Sequence, residues 1–354
     1  MTIFSAPAYD AHELVTFGRD EKTGLRAIIA VHSSALGPAV GGCRMFPYAS
    51  EEEALNDVLR LSRGMTYKSA LAGLPFGGGK SVIIGDPGRQ KTAEMMRAMG
   101  DFVHSQGGRY VAAEDSGTGV EDIRLMAERT PFVSGLEDNE FGGDPSPSTA
   151  WGVYLAIRTA VGHRLGQDSV EGIRIALQGL GHVGFHLAKF LIGDGAEVVA
   201  CDLSEENLDR AVRELGVQPV APETIISQEV DVFSPCAMGA ILDAASIEKL
   251  RAGIVAGAAN NQLATDQDGA NLQDRGILYC PDFLINAGGI IDVYHQQLGS
   301  LESVKRAHIR RIETTLAEVL QCADVNHQQT NVIAENLAKG AMAGRCQQSA
   351  LIAA

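Results

Sequence analysis

The stretch Gly179-Leu-Gly181-His-Val-Gly184 constrains the fold more than any other part of this 354-residue chain. It follows a run of strand character over 173–178 and opens a helical run over 183–193. A second strand pattern, 197–201, ends at Asp202, 18 residues past the last glycine. Strand, glycine turn, helix, strand and acidic tip are the parts of a βαβ unit that cradles a dinucleotide. Gly179 permits the tight turn. Gly181 lets backbone approach a pyrophosphate at a helix N-terminus, and Gly184 lets helix and strand pack closely. Asp202 is placed to accept hydrogen bonds from ribose hydroxyls. A 2′-phosphate would meet that carboxylate, with no arginine nearby before Arg210, so NAD is expected rather than NADP. His182, inside the motif, reads as an exposed helix-start residue.

Short apolar runs at 230–233, 253–256 and 277–279 extend the pattern into one parallel sheet with intervening helices. Upstream, 25–32 is rich in β-formers. Ser50 and Glu53 have capping-box spacing and open a helix that points toward Met65-Thr-Tyr-Lys68. Strands are expected at 81–84 and 109–113, helices at 92–104 and 120–129. Gly142, Gly143, Pro145 and Pro147 crowd the segment 135–147, which reads as a linker before a helix over 149–161. Ile309, Ile312, Leu316, Val319 and Ala323 mark one face of a late helix. The expected fold class is α/β with two domains, and the length suits two.

The run Gly77-Gly-Gly-Lys80 suggests a phosphate loop, but such a loop needs a glycine at 74, where Leu74 stands. Ser81-Val-Ile-Ile84, bounded by Gly85-Asp-Pro87, has the character of a strand and not of a helix start. Nucleotide triphosphate binding is therefore set aside. Lys68, Lys80 and Asp115 each stand beside small residues at an element's end. A lysine held against backbone in a partly dry place is suited to acid–base work near neutral pH, and Asp115 ends a strand, where α/β sites place working groups. Oxidation of an amino acid by NAD needs a cation for the α-carboxylate and a proton relay. Two lysines and one carboxylate meet that requirement.

The formal net charge of −15 disfavours a nucleic acid partner. The six cysteines lack CxxC spacing or a histidine cluster, so neither a metal site nor a disulfide framework is expected, and a reducing cytoplasm fits. The first residues, MTIFSAPAYDAHELV, lack the features of a signal peptide, and no apolar run is long enough for a membrane span.

Several stretches together carry a resemblance. They are GPAVGGCRMFPY, LSRGMTYKSALAGLPFGGGKSVI, RYVAAEDSGTGVEDI, GDPSPSTAWGV, LQGLGHVGFHLAKFL, SPCAMGAIL, AGAANNQL and GILYCPDFLINAGGIIDV. In this order, over nearly the whole chain, they resemble the Glu/Leu/Phe/Val amino-acid dehydrogenase family, most closely its leucine branch. The resemblance implies an N-terminal α/β substrate-binding and oligomerisation domain, 1–140 plus 328–354. It implies a Rossmann-type NAD-binding domain over 141–327, with the active site in the cleft between them. It further implies that Lys68 binds the substrate carboxylate, that Lys80 polarises the carbonyl or activates water, and that Asp115 shuttles the amine proton. Gly41 and Met65 would line the substrate site. Thr149 would reach the nicotinamide carboxamide, and Asn260 and Asn261 would hold the nicotinamide side and the substrate amino group. A homo-oligomer of two to eight subunits is implied.

Glutamate-specific members have a lysine just before the paired glycines, and here Val40 precedes Gly41-Gly42. A second substrate carboxylate would be left desolvated and unpaired there. The leucine branch implies a side-chain pocket of Val40, Ala113, Ile290 and Val293, all aliphatic. A branched-chain amino acid is the expected substrate. Phenylalanine or tryptophan is the alternative within the family, and a dinucleotide-binding sensor without chemistry is the alternative outside it. Asp292 stands where the leucine branch usually has asparagine, and its effect is left open.

Overall fold

The computed structural model describes residues 3–136, 143–237 and 239–352. The chain divides into two compact units. The first comprises Met1–Gly143, Gln296–Gly299 and Ala338–Ala354, and the second Asp144–His295 and Ser300–Leu337. Residues 328–337 thus depart from the expected boundary. They pack with the second unit because the Thr330 hydroxyl donates to the Tyr279 carbonyl at 2.6 Å and Asn331 lies against Gly269.

The first unit holds a mixed five-stranded sheet in the order β1-β2-β4-β3-β5. The strands are β1 (Leu14–Asp20), β2 (Leu25–Ser33), β3 (Ala39–Phe46), β4 (Gly77–Ile84) and β5 (Tyr110–Ala113). β3 lies between β4 and β5 and is parallel to both. Side chains alternate across the pleat. Ile29, Val31, Cys43 and Met45 therefore pack with Met95, Met96, Met99, Ile123 and Met126 of two helices on one face. Ile28, Ala30 and Val82 meet Ala54, Val58 and Leu59 of helix Glu51–Leu71 on the other. That helix begins as expected: Ser50 Oγ accepts from the Glu53 amide at 3.1 Å, and the Glu53 carboxylate accepts from the Ala49 amide at 2.7 Å.

The glycine run differs from the expectation. Gly77 to Lys80 belong to β4 itself and not to a loop before it. Glycine is a poor strand former, but here close backbone approach overrides propensity. A Cβ on Gly78 would lie 2.0 Å from Thr66 Oγ1 and 2.2 Å from the Thr66 amide nitrogen. Only bare backbone lets the end of helix Glu51–Leu71 settle on this strand. β1 and β3, absent from the sequence reading, complete the sheet.

The second unit holds six parallel strands in the order β11-β10-β9-β6-β7-β8. They are β6 (Arg174–Gln178), β7 (Glu197–Cys201), β8 (Gln218–Pro219), β9 (Val232–Pro235), β10 (Ile254–Val255) and β11 (Leu278–Tyr279). The chain runs outward from β6 to β8, crosses back to β9 beside β6, and runs outward again. This is the doubly wound order, and its switch point lies between β6 and β9. The expected linker falls partly on residues 137–142, outside the described residues. Pro147 belongs to the first turn of helix Ser146–Leu165, where a missing amide hydrogen costs nothing.

Candidate active site

In the first unit, Lys80 and Asp115 form a direct ion pair. Both are buried, their side chains 5% and 12% exposed. Lys80 lies on β4, and Asp115 follows β5. Gly42 of the intervening strand is paired with Ala113. A Cβ on Gly42 would lie 2.7 Å from Asp115 Cβ, and one on Gly41 would lie 1.8 Å from the Gly79 carbonyl oxygen. Gly42 therefore leaves the space in which lysine and aspartate meet, and Gly41 lets β3 lie close to the backbone of β4. The Ser116 amide donates to Asp115 Oδ1 at 2.6 Å. Burial by itself pushes the Asp115 carboxyl up. The Lys80 ammonium and then the Arg44 guanidinium outweigh it and hold the carboxyl well below the usual carboxylate range.

Lys68, also buried, occupies the last turn of helix Glu51–Leu71, and half-buried Met65 lies one turn earlier on the same side. Thr66 rests on Gly78, two residues before Lys80, so this turn is fixed against the same strand. The register puts Val40, Lys80 and Ala113 on the sheet face that meets this helix. Ile290 and Val293 lie in the second unit, one turn apart on helix Gly288–Gln297. Neither unit by itself assembles the four-residue side-chain pocket.

In the second unit the three fingerprint glycines stand in different surroundings. Gly179 has φ +97°, open to glycine at little cost. A Cβ on Gly184 would lie 2.0 Å from the Gly179 carbonyl oxygen, so helix His182–Gly193 packs on the turn only because that atom is missing. A Cβ on Gly181, the N-cap of that helix, would meet nothing within 4 Å. Open space at a helix N-terminus is what a pyrophosphate requires. Asp202 follows β7. Its Oδ2 accepts from the Leu180 amide at 2.6 Å and its Oδ1 from the Ser204 amide at 2.7 Å, which sets the carboxylate beside the glycine turn. His182 is 83% exposed, and its Nδ1 lies 3.4 Å from Asp144 Oδ2.

Asn260 and Asn261 follow β10. Asn261 adopts the left-handed conformation, φ +51°, and its buried Nδ2 has no hydrogen-bond partner among the described residues. Asn286 Nδ2 donates to Asn260 Oδ1 at 2.9 Å and to the Ala258 carbonyl at 3.0 Å. Thr149 lies on helix Ser146–Leu165, its Oγ1 2.5 Å from where a Gly289 Cβ would be. The free cradle at Gly181, the oriented Asp202 and the unsatisfied donor on Asn261 fit a bound NAD.

Four further residues shape these sites and were not singled out from sequence: Arg44, Asp57, Thr118 and Asn286. Arg44 Nη1 lies 3.0 Å from Asp57 Oδ2, and Nη2 lies 3.7 Å from Asp115 Oδ1. The Thr118 hydroxyl donates to the Cys43 carbonyl at 2.7 Å and accepts from the Asp115 amide at 3.1 Å. A signal for Arg44 was present, since an arginine amid buried strand residues needs a partner. Asp292, left open above, is a buried anchor. It accepts from the Ser148 hydroxyl, and Lys305 Nζ lies 3.2 Å from both its oxygens.

Residues 12–132 match the family model described as Glu/Leu/Phe/Val dehydrogenase, dimerisation domain. Residues 144–208 and 202–349 match Glutamate/Leucine/Phenylalanine/Valine dehydrogenase. The chain is 46% identical over 333 residues to a leucine dehydrogenase of Thermoactinomyces intermedius, covering 94% of this chain and 90% of that one. It is 46% identical over 311 residues to a valine dehydrogenase of Streptomyces virginiae, covering 86% and 87%. The crystal structure of L-tryptophan dehydrogenase from Nostoc punctiforme superposes with a TM-score of 0.77 at 39% identity, covering 95% of this chain and 97% of that one.

Proposed function

We propose, since the chain belongs to the Glu/Leu/Phe/Val dehydrogenase family, that it catalyses reversible oxidative deamination of a branched-chain L-amino acid. It is an NAD-dependent dehydrogenase acting on a CH–NH2 donor. An L-amino acid, water and NAD⁺ give a 2-oxo acid, ammonium, NADH and a proton. The observation that carries this reading is the buried contact of Lys80 with Asp115, on the sheet face that packs helix Glu51–Leu71 and its Lys68.

Lys68 offers a buried cation for the substrate α-carboxylate. Asp115, held ionised, takes a proton from the substrate ammonium and returns it to departing ammonia. Lys80 orients the attacking water and stabilises charge on the carbonyl oxygen. Gly41 and Met65 border the substrate. The amides after Gly181 hold the pyrophosphate and Asp202 the adenosine ribose. Thr149 and Asn260 hold the carboxamide end, and Asn261 faces the substrate amino group. NAD, when bound, supplies the hydride acceptor.

The aliphatic set Val40, Ala113, Ile290 and Val293 favours leucine, isoleucine and valine. The likeness to a tryptophan dehydrogenase supports an aromatic substrate as the second reading. Initial rates with NAD⁺ and L-Leu, L-Ile, L-Val, L-Phe, L-Trp or L-Glu separate the two. The highest kcat/KM is expected with a branched-chain substrate, and glutamate as best substrate would refute the pocket argument. The first unit is the proposed seat of a homo-oligomer, supported by its match to a dimerisation domain. The five described cysteines are free, which suits a reducing cytoplasm.

A further inference from the structure

Arg44 is built into the site behind Asp115. It lies on β3, two residues beyond Gly42, and the register places it opposite Val82, two residues beyond Lys80. Its side chain is 13% exposed. The guanidinium bridges two carboxylates on different elements: Asp57 of helix Glu51–Leu71 at 3.0 Å, and Asp115 at 3.7 Å. Asp57 Oδ2 also accepts from the Tyr48 hydroxyl at 2.7 Å, so the acid that holds Arg44 is itself held.

We propose that Arg44 is a positioning residue for the deamination: anchored by Asp57, it keeps a fixed positive charge on Asp115 through every proton transfer of the Lys80–Asp115 pair. This inference rests on the dehydrogenase reading above. Lysine changes its charge during acid–base work, whereas arginine stays protonated throughout. When Lys80 gives up its proton or turns to the carbonyl oxygen, a buried carboxylate would otherwise be stranded beside a neutral amine. Arg44 prevents that. It keeps Asp115 ionised and makes any proton that Asp115 collects easy to release.

The other titratable groups around Asp115 do not share this role. Burial pushes the Cys43 thiol on β3 up to about 12 and the Tyr110 phenol on β5 well above its ordinary value. Burial and the neighbouring Asp57 raise the Tyr48 phenol too. All three stay neutral over the working range. Asp122 is occupied by Lys91 at 2.8 Å. Lys80 and then Arg44 are the leading charges that hold the Asp115 carboxyl down, and Asp57 in turn holds Arg44.

The two outer residues make a test with opposite signs. Lys80 and Asp115 are in direct contact, and the acid limb of kcat/KM reports the proton that the site must lose to act as base. Arg44→Gln removes a positive charge, and the limb should move to higher pH by about one unit. Asp57→Asn removes a negative charge beyond Arg44, and the limb should move to lower pH. Arg44→Lys restores charge without the fork, and should return the limb toward wild type while kcat stays reduced. NAD binding, measured by fluorescence, should be unchanged in all three.

A residue needed only for packing would lower activity in both charge variants without opposite displacements. Should Arg44→Gln not fold, Asp57→Asn and Arg44→Lys still carry the test, and an acid limb unmoved in Asp57→Asn overturns the proposal. An active wild type with coincident limbs in all variants overturns this inference alone. A wild type without amino-acid-dependent NADH formation overturns the dehydrogenase reading with it.

Discussion

Lys80 lies on β4 and Asp115 just beyond β5, strands that are not neighbours, yet their side chains are in direct ionic contact across the intervening β3. The contact exists because that strand presents Gly42, and no side chain, beside Asp115. Lys80→Ala and Asp115→Asn should each cut kcat by about 10²–10⁴ with leucine as substrate. NAD affinity should be retained in both, since the fingerprint lies in the other unit. Steady-state kinetics with a parallel NAD titration check this. Undiminished turnover would remove either residue from the mechanism.

The fingerprint glycines should separate stability from binding. Gly184→Ala places a methyl 2.0 Å from the Gly179 carbonyl oxygen, and overpacking of this kind costs about 1–3 kcal/mol or more. Gly181→Ala meets open space, so its urea midpoint should stay near that of wild type. Its NAD affinity should nevertheless fall about tenfold or more, because the methyl occupies the pyrophosphate approach.

Asp292 is expected to matter for stability and not for substrate choice. It is held by Ser148 and Lys305 and is 3% exposed. Asp292→Asn loses a charge-assisted contact worth about 1.5–3 kcal/mol. Lys305 keeps Glu302 at 2.8 Å, which limits the damage. Thermal unfolding should shift downward while the ranking of kcat/KM among amino acids stays the same.

Mild acid should destabilise the first unit through its buried histidines. Burial, then His12, holds His32 down to about 4 in the folded state, against about 6.5 in an unfolded chain. Between these values the unfolded state binds more protons, so stability is full above about 6.5 and falls as the pH drops toward 4. Urea midpoints at pH 7.5, 6 and 5 should decline in wild type and decline less in His32→Gln. The Asp115 ion pair adds stability lost only at lower pH, below the ordinary carboxylate range.

What could be read from residues in order was local. Period and breakers located helix Glu51–Leu71, helix Ala93–His104 and the parallel strands of the second unit other than β8. The strand–glycine–helix–acid spacing announced the dinucleotide turn at Gly179–Gly184. The hidden features were of another kind. Gly77 to Gly79 read as a loop, because nothing nearby in sequence tells that Thr66 will press on Gly78. Asp292 read as an unexplained charge, because Lys305 reaches it only after the helices pack.

The chain alone therefore determined which chemistry is at hand: two lysines, an aspartate, a glycine turn and an aliphatic selection of pocket residues. Tertiary structure decided which charges meet. Register across three strands joined Lys80 to Asp115 and brought Arg44 and Asp57 up behind them. The physical reason is that a buried charge is stable only beside its partner, and here the partners come from segments tens of residues apart.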